Sequence, residues 1–253
     1  MANTVALKDN ENVVRVISLL RKNNMGKEQQ TLESLIKQIS QMEKQFNMVV
    51  GELQGVKAQL HTIQNKGVRA TTARVISSVE TKIDTVKTGL NTIKANVIKS
   101  CSNLLESVKE KGVSALKKGL DFLGVRSALI GLQGKLKDSI NSIHIASSRI
   151  ESMKGELHSG KSHLQNAGRA LLGKKPKEVT APSDKGILSG IQNILGKTRT
   201  LLSGIGQKSI AAVEKIDGIG QRDKKPSVDT NLSNIKKAQK VTVRKVNPKD
   251  KQR

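Results

Sequence analysis

From Leu32, apolar residues recur every seven positions for five heptads. Leu32, Ile39, Phe46, Leu53 and Leu60 form one row, and Leu35, Met42, Val49, Val56 and Ile63 the other. The rows alternate by three and four, the spacing of a helix that buries one stripe against another helix. Gly67 then stands as a stop or kink. The pattern restarts with Ile76, Ile83, Leu90, Val97 and Leu104 beside Val79, Val86 and Ile93. Its second row fades into Ser100 and Ser107, while Cys101, Leu105 and Val108 shift the seam by four residues, a stutter. Gly112, Gly119 and Gly124 punctuate a short stretch carrying Val113, Leu116, Leu120 and Leu123.

The third run is the longest. Leu129, Leu136, Ile143, Ile150, Leu157, Leu164 and Leu171 step by seven, beside a softer row of Leu132, Ser139, Ala146, Met153, Gly160 and Ala167. Small residues in that row let another helix approach closely. A shorter apolar pattern precedes all of this at Val13, Val14, Ile17 and Leu20. The periodicity predicts helices over about 9–23, 27–66, 68–111 and 126–172, within a long-helix bundle spanning 1–173. The three long ones would each span roughly 60–70 Å. Similar lengths and short glycine-containing connections suggest antiparallel neighbours. Residues 174–186, with two prolines and mixed charge, read as a linker. An amphipathic helical segment follows over 187–221, with Ile187, Leu188, Ile191, Ile194, Leu195, Leu201, Leu202 and Ile205 on one face. Residues 222–253 carry 11 basic and 3 acidic side chains, two prolines and little apolar content, so they read as a disordered basic tail. The predicted fold is all-α: an elongated antiparallel helical bundle or coiled coil with that tail.

Composition agrees with helices in place of a globular core. Leu, Ile, Val and Phe make 69 of 253 residues, enough to bury a seam, but there are two Phe, no Trp and no Tyr. This disfavours barrels and sandwiches, and also nucleic-acid modules that stack bases on aromatic rings. One cysteine excludes an internal disulfide framework and a cysteine-based zinc site. Neither a signal-peptide core nor a run of about 18 apolar residues occurs, so a cytoplasmic location is expected. A net charge of +24 points to polyanions. Of this, residues 1–221 carry 34 basic and 18 acidic groups, so charge is densest in the last 32 residues.

Gly155–Ser162, GELHSGKS, matches the phosphate-loop pattern, in which Lys161 would reach phosphates and Ser162 would hold magnesium. That loop needs a buried strand before it, and ASSRIESMK is not one. Ile150, Leu157 and Leu164 also carry the helical row straight through it, so a continuous helix is predicted. His61, His144, His158 and His163 have no metal-ligand spacing, and Cys101 reads as a small core residue. No catalytic residue, cofactor, metal or small-molecule substrate is expected.

Residues 201–220, LLSGIGQKSIAAVEKIDGIG, resemble the helix-hairpin-helix family of DNA-backbone binders. Gly204-Ile205-Gly206 matches its Gly-hydrophobic-Gly turn, and Gly218-Ile219-Gly220 repeats it. Ser203 stands where that family often has Pro, and Ile210 where it prefers a small residue. The resemblance implies phosphate contacts at Gly204, Gly206, Gly218 and Gly220, and the charge of the basic tail adds Lys224, Lys225, Lys236, Lys237, Lys240, Arg244 and Lys245 as candidate phosphate contacts. The broad aliphatic face of 186–206 suits a membrane surface, and more simply packing against the bundle.

The stretch VALKDNENVVRVISLLRKNNMGKEQQTLESLIKQISQMEKQFNMVVGEL is similar to a family of uncharacterised proteins from Firmicutes, several of them carried on conjugative or other mobile elements. That resemblance implies a domain of unknown function and an accessory role in maintaining or transferring an element. The expectation is a non-enzymatic helical scaffold or interaction protein, pairing with itself as a homo-oligomer or with another helical protein. Nucleic acid is the alternative partner and a membrane surface the second alternative.

Overall fold

The computed structural model describes residues 6–118, 121–178 and 186–220. The chain divides into two compact units, Met1–Lys215 and Ile216–Arg253. Of the second, only the last turn of a helix, 216–220, is among the described residues.

Five α-helices stand among the described residues: α1 (Glu11–Lys22), α2 (Gly26–Thr62), α3 (Lys66–Lys111), α4 (Leu123–Leu171) and α5 (Ile187–Gly220). A short 3-10 turn at Leu7–Asp9 precedes α1, and a second, Gly112–Lys118, leads from α3 toward α4. Local chemistry sets the ends. The Asn10 side chain accepts from Val13 N at 3.4 Å and starts α1. Asn24 takes a left-handed φ of 57°, which asparagine tolerates, and Met25 N closes back to Leu20 O at 3.0 Å. The predicted stop at Gly67 lies instead at 63–65. The Asn65 side chain accepts from Val68 N at 3.1 Å and begins α3, with Gly67 inside that helix.

Facing pairs show how the helices run. Lys94 Nζ meets Glu43 at 2.6 Å and Lys57 meets Glu80 at 3.0 Å, so α2 and α3 are antiparallel. The Ser139 hydroxyl donates to Lys82 O at 3.0 Å and Asn96 Nδ2 to Gly124 O at 2.8 Å, so α3 and α4 are antiparallel. Ser209 Oγ donates to Leu129 O at 3.1 Å, and Gln192 Nε2 to Glu151 at 2.7 Å, pairing α4 with α5. Gly204 lies under Gln45, Gly190 under Gln59 and Gly55 against Ile194, while the Lys215 ammonium reaches Ser34 Oγ, closing α5 onto α2. The result is an up-down-up-down four-helix bundle in the cyclic order α2, α3, α4, α5. The short α1 packs on α2 and α3 through Val13, Val16 and Leu20.

The seams predicted from spacing are the core. All ten positions of the two α2 rows are buried, as are Ile76, Val79, Ile83, Val86, Leu90, Ile93, Val97 and Leu104 of α3. At the stutter Cys101 is buried, while Leu105 and Val108 are half-buried. The α3–α4 contact is the closest, because its positions are small. A Cβ at Gly89 would lie 2.9 Å from Leu132 Cδ1, and Ser139 and Ala146 are buried there too. In the connection Phe122 is buried, whereas Leu123, placed in the apolar pattern, is exposed. Leu120 and the predicted disordered tail, 222–253, lie outside the described residues.

Candidate interaction surface

The long row of α4 divides into two halves with different surroundings. Leu129, Leu136, Ile143 and Ile150 are buried, while Leu157, Leu164 and Leu171 are 43%, 80% and 89% exposed. Helix lengths explain the change. Thr72 of α3 meets Met153, and α3 begins only six residues earlier, at Lys66. On the other side, Gln192 of α5 meets Glu151, and α5 begins five residues earlier, at Ile187. Both neighbours therefore end near the level of Leu157, and among the described residues no other helix runs beside α4 for its last ~20 Å. The seven-heptad row was expected to be one packed seam. It is core for four heptads and open surface for the last three positions.

The projecting turns are well terminated. Gly173 takes a left-handed φ of 66°, and Lys174 N closes to Arg169 O at 2.9 Å. The chain then folds back along the helix. Asn166 Nδ2 donates to Lys177 O, and Lys177 N donates to Asn166 Oδ1, each at 2.8 Å, while Arg169 Nε donates to Lys175 O at 2.8 Å. Asn166 is about 200° round the helix from Leu164. The return is thus tied to the face opposite the leucines.

Where α3 begins beside α4, a groove of about 680 Å³ lies at the foot of the projection. Val68, Val75, Ile150, Met153 and Leu157 give it an apolar floor, with Arg74 and Arg149 on its rim. Neither arginine has an acidic partner within ion-pair distance among the described residues, and Glu156 is the only acidic group lining the groove.

The residues singled out for chemistry are placed differently. Gly155–Ser162 lies wholly inside α4, so no phosphate loop forms and Lys161 and Ser162 sit on a helix, as the spacing predicted. Gly204-Ile205-Gly206 and Gly218-Ile219-Gly220 lie inside the unbroken α5, so the helix-hairpin-helix turn is not formed. The reason is local: Ile205 is fully buried, and Gly204 faces the end of the Gln45 side chain from α2. Ile191, Leu195, Leu202 and Ile205 are fully buried, so this part of the apolar face of 186–206 packs within the bundle. Lys224, Lys225, Lys236, Lys237, Lys240, Arg244 and Lys245 lie outside the described residues. His61, His144 and His163 are exposed, and no group of three metal-ligating side chains exists among the described residues. Burial pushes the Cys101 thiol up to about 12, which makes it a core residue and a poor nucleophile. No helix among the described residues is long and apolar enough to cross a membrane.

Fold and surface together define an all-α bundle protein with one helix carried past its neighbours. The chain belongs to a family of unknown function, DUF6674, whose match covers residues 9–253. No curated protein and no solved structure matches it.

Proposed function

We propose that the protein is a non-enzymatic helical scaffold that works by joining its projecting α4 to another helix. The observation that carries this reading is the continuation of one heptad row from the core into solvent, ending in Leu164 and Leu171 at 80% and 89% exposure. Side chains that serve only the fold have no reason to keep the spacing where no partner helix remains. The similarity of the N-terminal stretch to proteins of mobile elements supports a role as an accessory assembly factor there. The test is photo-cross-linking from position 164 in the cells that make the protein, with Asn47, exposed and off the seam, as control. Protein adducts from 164 and none from 47 are expected. No adduct from 164 ends the reading.

A second reading rests on charge. Eleven of the last 32 residues are basic against three acidic, and this suits phosphate contacts that read no sequence. The full chain is then expected to bind duplex DNA at low salt, with affinity falling steeply as salt rises, and a 1–221 truncation to bind more weakly. Equal binding by both removes the tail from the mechanism.

A further inference from the structure

We infer that the α4 projection is a self-recognition element, pairing antiparallel with the projection of a second copy about a two-fold axis at Leu164. This deepens the scaffold reading and rests on it. The residues are arranged symmetrically about Leu164. Leu157 and Leu171 lie seven positions either side, and Gly160 and Gly168 four. In an antiparallel pair centred there, Leu157 of one copy meets Leu171 of the other, and Leu164 meets Leu164. Because an isologous interface uses one patch twice, this is the symmetry such a contact requires.

Two further observations commit the surface to a second copy. First, the packing chemistry already exists in the molecule. Gly160 and Gly168 flank the leucine ridge about 40° to each side, and within the bundle the closest helix pair sets a leucine, Leu132, over a helix glycine, Gly89. The projection continues the rows that make that α3–α4 contact. Second, the tip and the groove match. The pairing that sets Leu171 against Leu157 brings the exposed Leu171 and Leu172 of one copy to the groove of the other, which Leu157 lines. Tip and socket occur once per chain, so the two-fold axis fills both sockets and closes the pair. The return segment, held on the opposite face through Asn166, leaves the ridge accessible.

Charge gives the contact a signature. The tip carries Lys174 and Lys175, and the socket carries Arg74 and Arg149 against one acidic group, Glu156, a net positive charge on both sides. Like charges approach when the copies pair, so added salt tightens the dimer, opposite in sign to polyanion binding.

The test uses the full chain. Sedimentation equilibrium is expected to show a reversible dimer below about 0.1 mM, strengthened several-fold by salt, and Leu164→Asp is expected to weaken it at least tenfold with the helical circular dichroism unchanged. Orientation is read by oxidative cross-linking on a Cys101→Ala background. Leu164→Cys alone forms a covalent dimer, whereas Leu157→Cys does so only when mixed with Leu171→Cys. A Leu157→Cys chain that cross-links to itself overturns the antiparallel arrangement. A chain that stays monomeric, or a dimer indifferent to Leu164→Asp, overturns self-recognition. If position 164 then captures a different protein in cells, the scaffold reading survives; if it captures nothing, both fall.

Discussion

At the scale of single residues, glycines separate packing from propensity. Alanine in place of a mid-helix glycine gains roughly 1 kcal/mol when space allows. At Gly89 space does not allow it, because the new Cβ would lie 2.9 Å from buried Leu132 and 3.4 Å from Lys135. Gly89→Ala is therefore expected to destabilise the bundle by about 1 kcal/mol, the overpacking cost exceeding the helix gain. At Gly204 the obstacle is the end of the flexible Gln45 side chain, so Gly204→Ala is expected to be neutral or stabilising by up to about 1 kcal/mol in denaturant melts. Cys101 adds a pH dependence. Its folded pKa is raised by burial from 9.0 to about 12, so between those values the folded state holds the proton that the unfolded state releases. The stability it contributes is intact below pH 9 and lost as pH rises toward 12. Comparing melting at pH 8 and 10.5, Cys101→Ala should lose less stability than the unmodified chain.

At the scale of elements, the α2–α3 pair is held by a buried cation. Lys94 keeps 8% of its side chain exposed and meets Glu43, whose side chain is 29% exposed. Removing the carboxylate leaves an ammonium with little water, so Glu43→Ala is expected to cost about 2–3 kcal/mol, below the fully buried case because Glu43 is partly hydrated. Glu80→Ala, opposite the exposed Lys57, is expected to cost about 1 kcal/mol or less. The α2–α5 contact is looser. Gln38, Gln45 and Gln59 recur at multiples of seven along α2 toward α5, and the Oε1 of each is buried without a hydrogen-bond partner. This contact gives the Gly-Ile-Gly triplet a packing role. Glycine at 204 marks a turn when seen alone, but here it admits a glutamine from another helix. Spacing in α2 was fully legible, since the two rows fix one stripe whatever packs on it. It was less legible in α4, because the periodicity of one helix carries no information about where its neighbours stop.

At the scale of the whole molecule, the opening pattern of heptads acquires two uses. The same α4 row is core beside α3 and α5 and surface beyond them, a division set by Lys66 and Ile187 as helix starts. The candidate site was therefore present in the sequence as Leu157, Leu164 and Leu171, but indistinguishable from core until the bundle was assembled. The central claim is that this row changes role between Ile150 and Leu171. The most direct test is thermal unfolding, at low protein concentration, of two variants carrying the same change on that row. Ile143→Asp buries a carboxylate in the packed half and should lower the midpoint by 10 °C or more, or abolish the transition, as a loss above about 4 kcal/mol implies. Leu164→Asp changes an exposed residue and should shift the midpoint by no more than about 3 °C. Comparable losses at both positions would contradict the account, because they would mean that the row is packed along its whole length.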